Sequence, residues 1–154
     1  MQIADLLTPD SVIPVLTATS KKQALQELAH VAAARTGQAE RAIFDVLLER
    51  ERLGTTGVGH GVAIPHGKLP GLDRIYGVFA RVEHKIDFDA IDGEPVDLLF
   101  LLLAPEGAGA DHLKALARVS RLLRDAPTCA KLRAAKDGRA IYAVLTAEPQ
   151  SHAA

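Results

Sequence analysis

The sequence predicts an α/β fold in which helices cover a mixed sheet. Three observations carry this reading. Strand-like and helix-like segments alternate along the 154 residues, the order expected of strands interleaved with helices. Val96 to Leu103 is apolar at nearly every position, as a central strand buried on both faces is. Several other segments repeat their apolar residues every three or four positions and are bounded by capping residues.

The elements follow in order. Met1 to Leu7 reads as a short leading turn, and Val12 to Leu16 as a short strand interrupted by Pro14. Ser20 opens the first helix. Ser20 and Gln23 have capping-box spacing, in which each side chain satisfies a backbone N–H of the first turn. Leu25, Leu28, Ala29 and Ala32 form one stripe, and Gly37 supplies the left-handed stop. A second helix is expected from about Ala39 to Leu53, with Ile43, Val46, Leu47 and Arg50 on a shared face and Gly54 just beyond it. Val62 to Ile64 is a β-branched run stopped by Pro65, which places His66 just past a strand end. Ile75 to Val82 is a further strand, and Asp92-Gly93 marks a tight turn before Val96. Asp111 or a neighbour caps a third helix. Leu113, Leu116, Ala117, Ser120 and Leu123 lie along one side of it, with Arg121 and Arg124 in its last turns. Thr128 to Ala135 and Gly138 to Thr146 read as two shorter helices. One domain is expected over residues 1–148, with 149–154 a loose tail.

Composition removes several function classes. Nearly half of the residues are apolar (48%), which argues against global disorder. Eighteen basic and nineteen acidic residues leave a net charge of −1, with no basic footprint for nucleic acid or an anionic membrane. Cys129 stands alone, so no disulfide framework or thiolate cluster forms within the chain. The longest apolar run, Leu98 to Ala104, is far short of the roughly 20 residues that span a bilayer. No basic segment precedes a long apolar stretch, so no secretory signal is read. A soluble cytoplasmic domain is expected.

The chemistry concentrates around His66. Gly67 follows it with no side chain to crowd incoming groups, and the stretch Gly54 to Gly61 holds four glycines. His112 lies in the first turn of a helix, where backbone N–H groups favour an anion. Two imidazoles, the Arg50 guanidinium and glycine-rich backbone together suit a phosphoryl group. The alternative is that His66 and His112 never meet.

Other chemistries fit less well. His60, His66 and His112 could be zinc ligands, but no H-E-x-x-H occurs and no cysteine is nearby. Gly67-Lys68 fails as a P-loop, because Val62 and Leu69 stand where glycine and a hydroxyl residue are needed. Gly57, Gly59 and Gly61 do not make a dinucleotide fingerprint, and no G-x-S-x-G marks a nucleophilic serine. Asp87, Asp89 and Asp92 lack the spacing of a calcium loop and read as a solvated turn. His30, His84 and His152 receive no role.

At this point the residues resemble a known family. Leu53-Gly54-Thr55-Thr56-Gly57-Val58-Gly59-His60-Gly61-Val62-Ala63-Ile64-Pro65-His66-Gly67-Lys68 is similar to the active-site segment of enzyme IIA domains of the fructose–mannitol class. These domains belong to the phosphoenolpyruvate-dependent sugar phosphotransferase system. The stretch from Ile86 to Leu98 agrees with them, as do Leu101 to Pro105 and His112 to Leu116. Ser20-Lys21-Lys22-Gln23-Ala24-Leu25 resembles the nitrogen-regulatory branch of that family.

The resemblance implies a mannitol-type IIA fold, a mixed five-stranded sheet between helices. It makes His66 the phosphoryl acceptor, through its tele nitrogen (Nε2), with His112 and Arg50 supporting the group. The backbone N–H groups of Gly67 and Thr56 are expected to help cradle it. The implied donor is HPr or an HPr-like carrier, and phosphorylation state then controls partner proteins. The alternative is a sugar-transport IIA that passes the group to a separate IIB domain. No metal and no cofactor is implied, and no role is carried onto His60. Val58, Val62 and Leu113 are candidates for a shallow docking patch around His66, with ordinary core packing as the alternative for each.

Overall fold

The structure, a computed structural model, describes residues 1–147. The tail expected over 149–154 lies outside them. Two 3₁₀ turns, Ile3–Asp5 and Pro9–Ser11, lead into strand β1 (Val12–Leu16). Helices α1 (Lys21–Thr36) and α2 (Glu40–Leu53) follow, then strands β2 (Gly57–Gly59), β3 (Val62–Ala63), β4 (His66–Leu69), β5 (Tyr76–Ile86) and β6 (Val96–Pro105). Helices α3 (Gly109–Arg124), α4 (Ala126–Ala134) and α5 (Gly138–Thr146) complete the described chain.

The sheet is mixed, with β1, β5, β6, β3 and β2 side by side and β4 also paired to β6. It therefore has six strands in five positions. β3 and β4 both run parallel to β6, against Leu98–Leu99 and Leu102–Pro105 respectively. Between them lie Ile64 and Pro65. Pro65 has no N–H to donate, so the strand breaks there. Its carbonyl still accepts from the Leu102 N–H at 3.0 Å, which keeps the chain on course. His66 thus begins β4, where the sequence placed it just beyond a strand.

β6 is apolar on both sides because both sides are covered. Leu99, Leu101 and Leu103 pack with Leu25, Leu28, Ile43 and Leu47 of α1 and α2. Leu98, Phe100 and Leu102 pack on the other face with Val119, Leu132, Ile141 and Leu145 of α3, α4 and α5. β1 lies at an edge of the sheet, where Pro14 costs no interior ladder.

Several local expectations are met, and four are corrected. Ser20 Oγ accepts from the Gln23 N–H at 3.1 Å, but the Gln23 amide oxygen accepts from the Thr19 N–H at 2.8 Å and not from Ser20. Gly37 ends α1 with φ 76°. Asp111 is not the cap of α3: the helix begins at Gly109 and Asp111 lies in its first turn. The buried stripe of α3 is His112, Ala115, Val119 and Leu123, so the helix is rotated from the expected stripe and Leu113 is 69% exposed. Asp125 caps α4 through the Thr128 N–H at 3.1 Å, which starts that helix two residues earlier than expected.

Candidate functional site

β4 carries His66 into the site. Side chains alternate along an extended chain, so His66 shares a face with Ile64, which packs in the core beneath α3, α4 and α5. The rotated face of α3 brings His112 to the same place. The two imidazoles meet edge to face, with ring centroids 5.7 Å apart and planes at 72°.

The His66 ring is oriented by its own backbone. Its Nδ1–H donates to the Ile64 carbonyl at 2.8 Å. That bond assigns the tautomer and leaves Nε2 with its lone pair. Burial lowers the proton affinity of His66, and the Arg50 guanidinium lowers it further. The Ile64 carbonyl and the Glu51 carboxylate act in the opposite direction. The net shift is downward, so the ring is neutral over more of the acidic range than a free histidine. His112 is buried, and its proton affinity is lowered by desolvation, then by His66 and Lys68. Its Nε2 is buried without a hydrogen-bond partner among the described residues. An orphaned ring nitrogen of this kind is costly and suits an incoming oxygen.

Arg50 lies in the last turn of α2 and donates to the Gly54 carbonyl at 2.8 Å. The guanidinium is thereby held over the loop that leads to β2. Gly67 also meets a packing demand that the sequence did not suggest. A Cβ there would strike Val46 Cγ1 of α2, so the absent side chain admits the helix against β4. The Thr56 N–H is already donated to Glu51 Oε1 at 3.2 Å, which removes it from the expected cradle.

Glu51 was not singled out from the sequence. It is buried in the last turn of α2. It accepts from both the N–H and the hydroxyl of Thr56 and lies 3.2 Å from Lys21 Nζ. The signal was present: Glu51 follows Leu47 by four residues on the core stripe, a position where a carboxylate is unusual.

His60 is exposed, and it sits in the β2–β3 turn with φ 57°. Among the described residues no group of three or more His, Cys, Asp or Glu is arranged to hold a metal ion. Of the three patch candidates, Val62 is core at 1% exposed, whereas Val58 (45%) and Leu113 (69%) are exposed. No described helix is long and apolar enough to cross a membrane.

A parallel-and-antiparallel sheet between two helical layers, with an aimed imidazole on a strand beside a second imidazole, is an architecture with known relatives. The chain belongs to the family described as "Phosphoenolpyruvate-dependent sugar phosphotransferase system, EIIA 2", whose model matches residues 5–148. It is 64% identical over 153 residues to a nitrogen regulatory protein of Bradyrhizobium diazoefficiens, a match covering 99% of this chain and 100% of the relative. The crystal structure of the nitrogen regulatory protein IIA-Ntr from Neisseria meningitidis superposes with a TM-score of 0.89 at 33% identity, covering 94% of this chain and 99% of that one. The mannitol IIA of Escherichia coli shares the fold, with a TM-score of 0.75 at 18% identity over 90% of this chain and 98% of its own.

Proposed function

We propose that this protein is a regulatory phosphocarrier of the nitrogen branch, and that His66 Nε2 accepts a phosphoryl group from the phosphohistidine of an HPr-like carrier. The observation that carries this reading is the Nδ1–H···O=C bond from His66 to Ile64 at 2.8 Å. It presents a neutral, aimed nucleophile. Family membership and the similarity to nitrogen regulatory proteins support the regulatory role.

The step is an in-line displacement. The Nε2 lone pair forms the new N–P bond while the carrier's N–P bond breaks, and the carrier imidazole leaves with that electron pair. No proton need move at His66. As Nε2 gives up its lone pair the ring becomes more positive, and the Nδ1–H bond to Ile64 strengthens. Interactions that tighten in the transition state are those that raise the rate. Arg50 and His112 meet the charge on the phosphoryl oxygens, since transfer of this group rests on positioning and electrostatics. Exposed Val58 and Leu113 are the apolar side chains we assign to carrier contact. The added charge, comparable to the −1.5 to −2 or so of a phosphoester, then distinguishes the two states to partner proteins.

Incubation with phosphoenolpyruvate, enzyme I and an HPr-type carrier tests the reading by intact mass. Wild type is expected to gain one phosphoryl group and His66→Ala none. An unchanged wild-type mass, with a carrier that phosphorylates another IIA domain in the same assay, removes the proposal. Onward transfer to a purified IIB domain would indicate the sugar-transport role instead.

A further inference from the structure

We infer that Glu51 is a positioning residue for His66, acting through Thr56 and Ile64. The inference rests on the reading of His66 as phosphoryl acceptor. Glu51 lies on the same stripe of α2 as the buried Ile43, Phe44 and Leu47, and is itself 8% exposed. An apolar side chain would fill this position without the desolvation cost of a carboxylate. The carboxylate is instead fully engaged. Oε1 accepts from the Thr56 N–H at 3.2 Å, Oε2 accepts from the Thr56 hydroxyl, and Lys21 Nζ of α1 closes the group at 3.2 Å.

Those bonds lead to the reactive ring. Thr56, held on its N–H side by Glu51, accepts on its carbonyl from the Ile64 N–H at 3.0 Å. Ile64 in turn accepts on its carbonyl from His66 Nδ1–H at 2.8 Å. Three successive links therefore join the carboxylate to the imidazole. The Ile64 carbonyl needs such support. It lies in the break between β3 and β4, beside a proline that has no N–H to donate. The charge of Glu51 also reaches the ring directly, favouring its protonated form against the effect of Arg50. His66 is thus faced by Arg50 and Glu51 from α2 and by His112 from α3.

The test uses the full chain with ¹⁵N-labelled histidine, comparing wild type, Glu51→Gln and Thr56→Val. Glu51→Gln keeps the size of the side chain and removes its charge. Thr56→Val removes the hydroxyl and keeps the shape. Both variants are expected to shift part of His66 from the Nδ1–H to the Nε2–H tautomer. Both should slow phosphoryl uptake by about tenfold or more, by analogy with the loss when a group orienting a metal-ligating histidine is removed. The KM for the carrier should stay unchanged. The His66 titration midpoint should fall in Glu51→Gln alone, since only that variant deletes the charge. A variant that is merely destabilised lowers the melting temperature and leaves tautomer and midpoint alone. Folded variants with wild-type tautomer, midpoint and rate overturn the inference, and if Glu51→Gln does not fold, the tautomer and rate of Thr56→Val decide. The tautomer is read without any phosphoryl transfer. A wild type that takes up no phosphoryl group, yet has a Glu51-dependent tautomer, would therefore count against the phosphocarrier reading and not against the positioning role.

Discussion

Gly59, His60 and Gly61 turn the chain through three successive left-handed conformations, with φ of 103°, 57° and 78°. Two glycines tolerate this freely, and histidine does so at some cost. The turn is held from outside: the His60 N–H donates to Asp92 Oδ2 at 2.9 Å, and Arg133 Nη2 donates to the His60 carbonyl at 2.9 Å. Arg133 is itself anchored by Asp97, at 2.9 Å through Nε. A Cβ on Gly61 would lie 2.6 Å from Arg133 Nη2 and 3.0 Å from Asp97 Oδ1. Gly61→Ala is therefore expected to destabilise the protein by about 1–3 kcal/mol, the usual cost of a strained backbone site, compounded by the displaced guanidinium. Urea denaturation measures it, and an unchanged midpoint would contradict the account. His60, to which the sequence attached no role, contributes here through its backbone.

Among the elements, α2 and β4 make the contact on which the site depends. α2 delivers Arg50 and Glu51 from its last turn, and it can do so only because Gly67 lets Val46 approach the strand. Valine has little rotamer freedom in a helix, so it cannot swing aside. Gly67→Ala is expected to cost about 1–3 kcal/mol by overpacking and to push α2 outward, slowing phosphoryl uptake. Adding Val46→Ala should recover part of both losses. A double-mutant cycle reads this coupling, and strictly additive effects would show that the two side chains do not meet. α3 makes the complementary contribution. Its rotation buries His112 and exposes Leu113, so one helix supplies both a site imidazole and an exposed apolar residue near it.

The whole molecule behaves as two cores back to back on one sheet, and the site histidines are part of one of those faces. This links stability to pH. Burial lowers the proton affinity of His66 and His112 below the ordinary histidine value of 6.5. Above that value both states are neutral and neither group matters. As pH falls through it, the unfolded chain takes up protons that the folded protein resists, so stability declines until the lowered folded values are passed. The depressed carboxylates Asp73, Asp92 and Asp125 lose their contribution only at much lower pH. Urea midpoints are thus expected to drop between about pH 7.5 and pH 5, and the drop should shrink when His66 and His112 are both replaced by asparagine. An equal drop in the double variant would place the acid sensitivity elsewhere.

Strands β2 and β4 were not legible in the amino-acid sequence, whereas the α/β class, the order of the helices, the caps at Ser20 and Gly37 and the two-faced character of Val96 to Leu103 were. Each legible feature is a local property, set by residues within about four positions of one another or by burial so complete that no periodicity survives. Which face α3 buries was not legible, because Leu113 and Leu116 compete with Ala115 and Val119 for the interior and only the sheet decides. The break of one strand position into β3 and β4 required β6 as the common neighbour. The use of Thr56 by Glu51, the closeness of Val46 to Gly67 and the meeting of His66 with His112 join residues five to 46 positions apart. Contacts of that range come from closing the chain around a core, and tertiary structure alone chose among them.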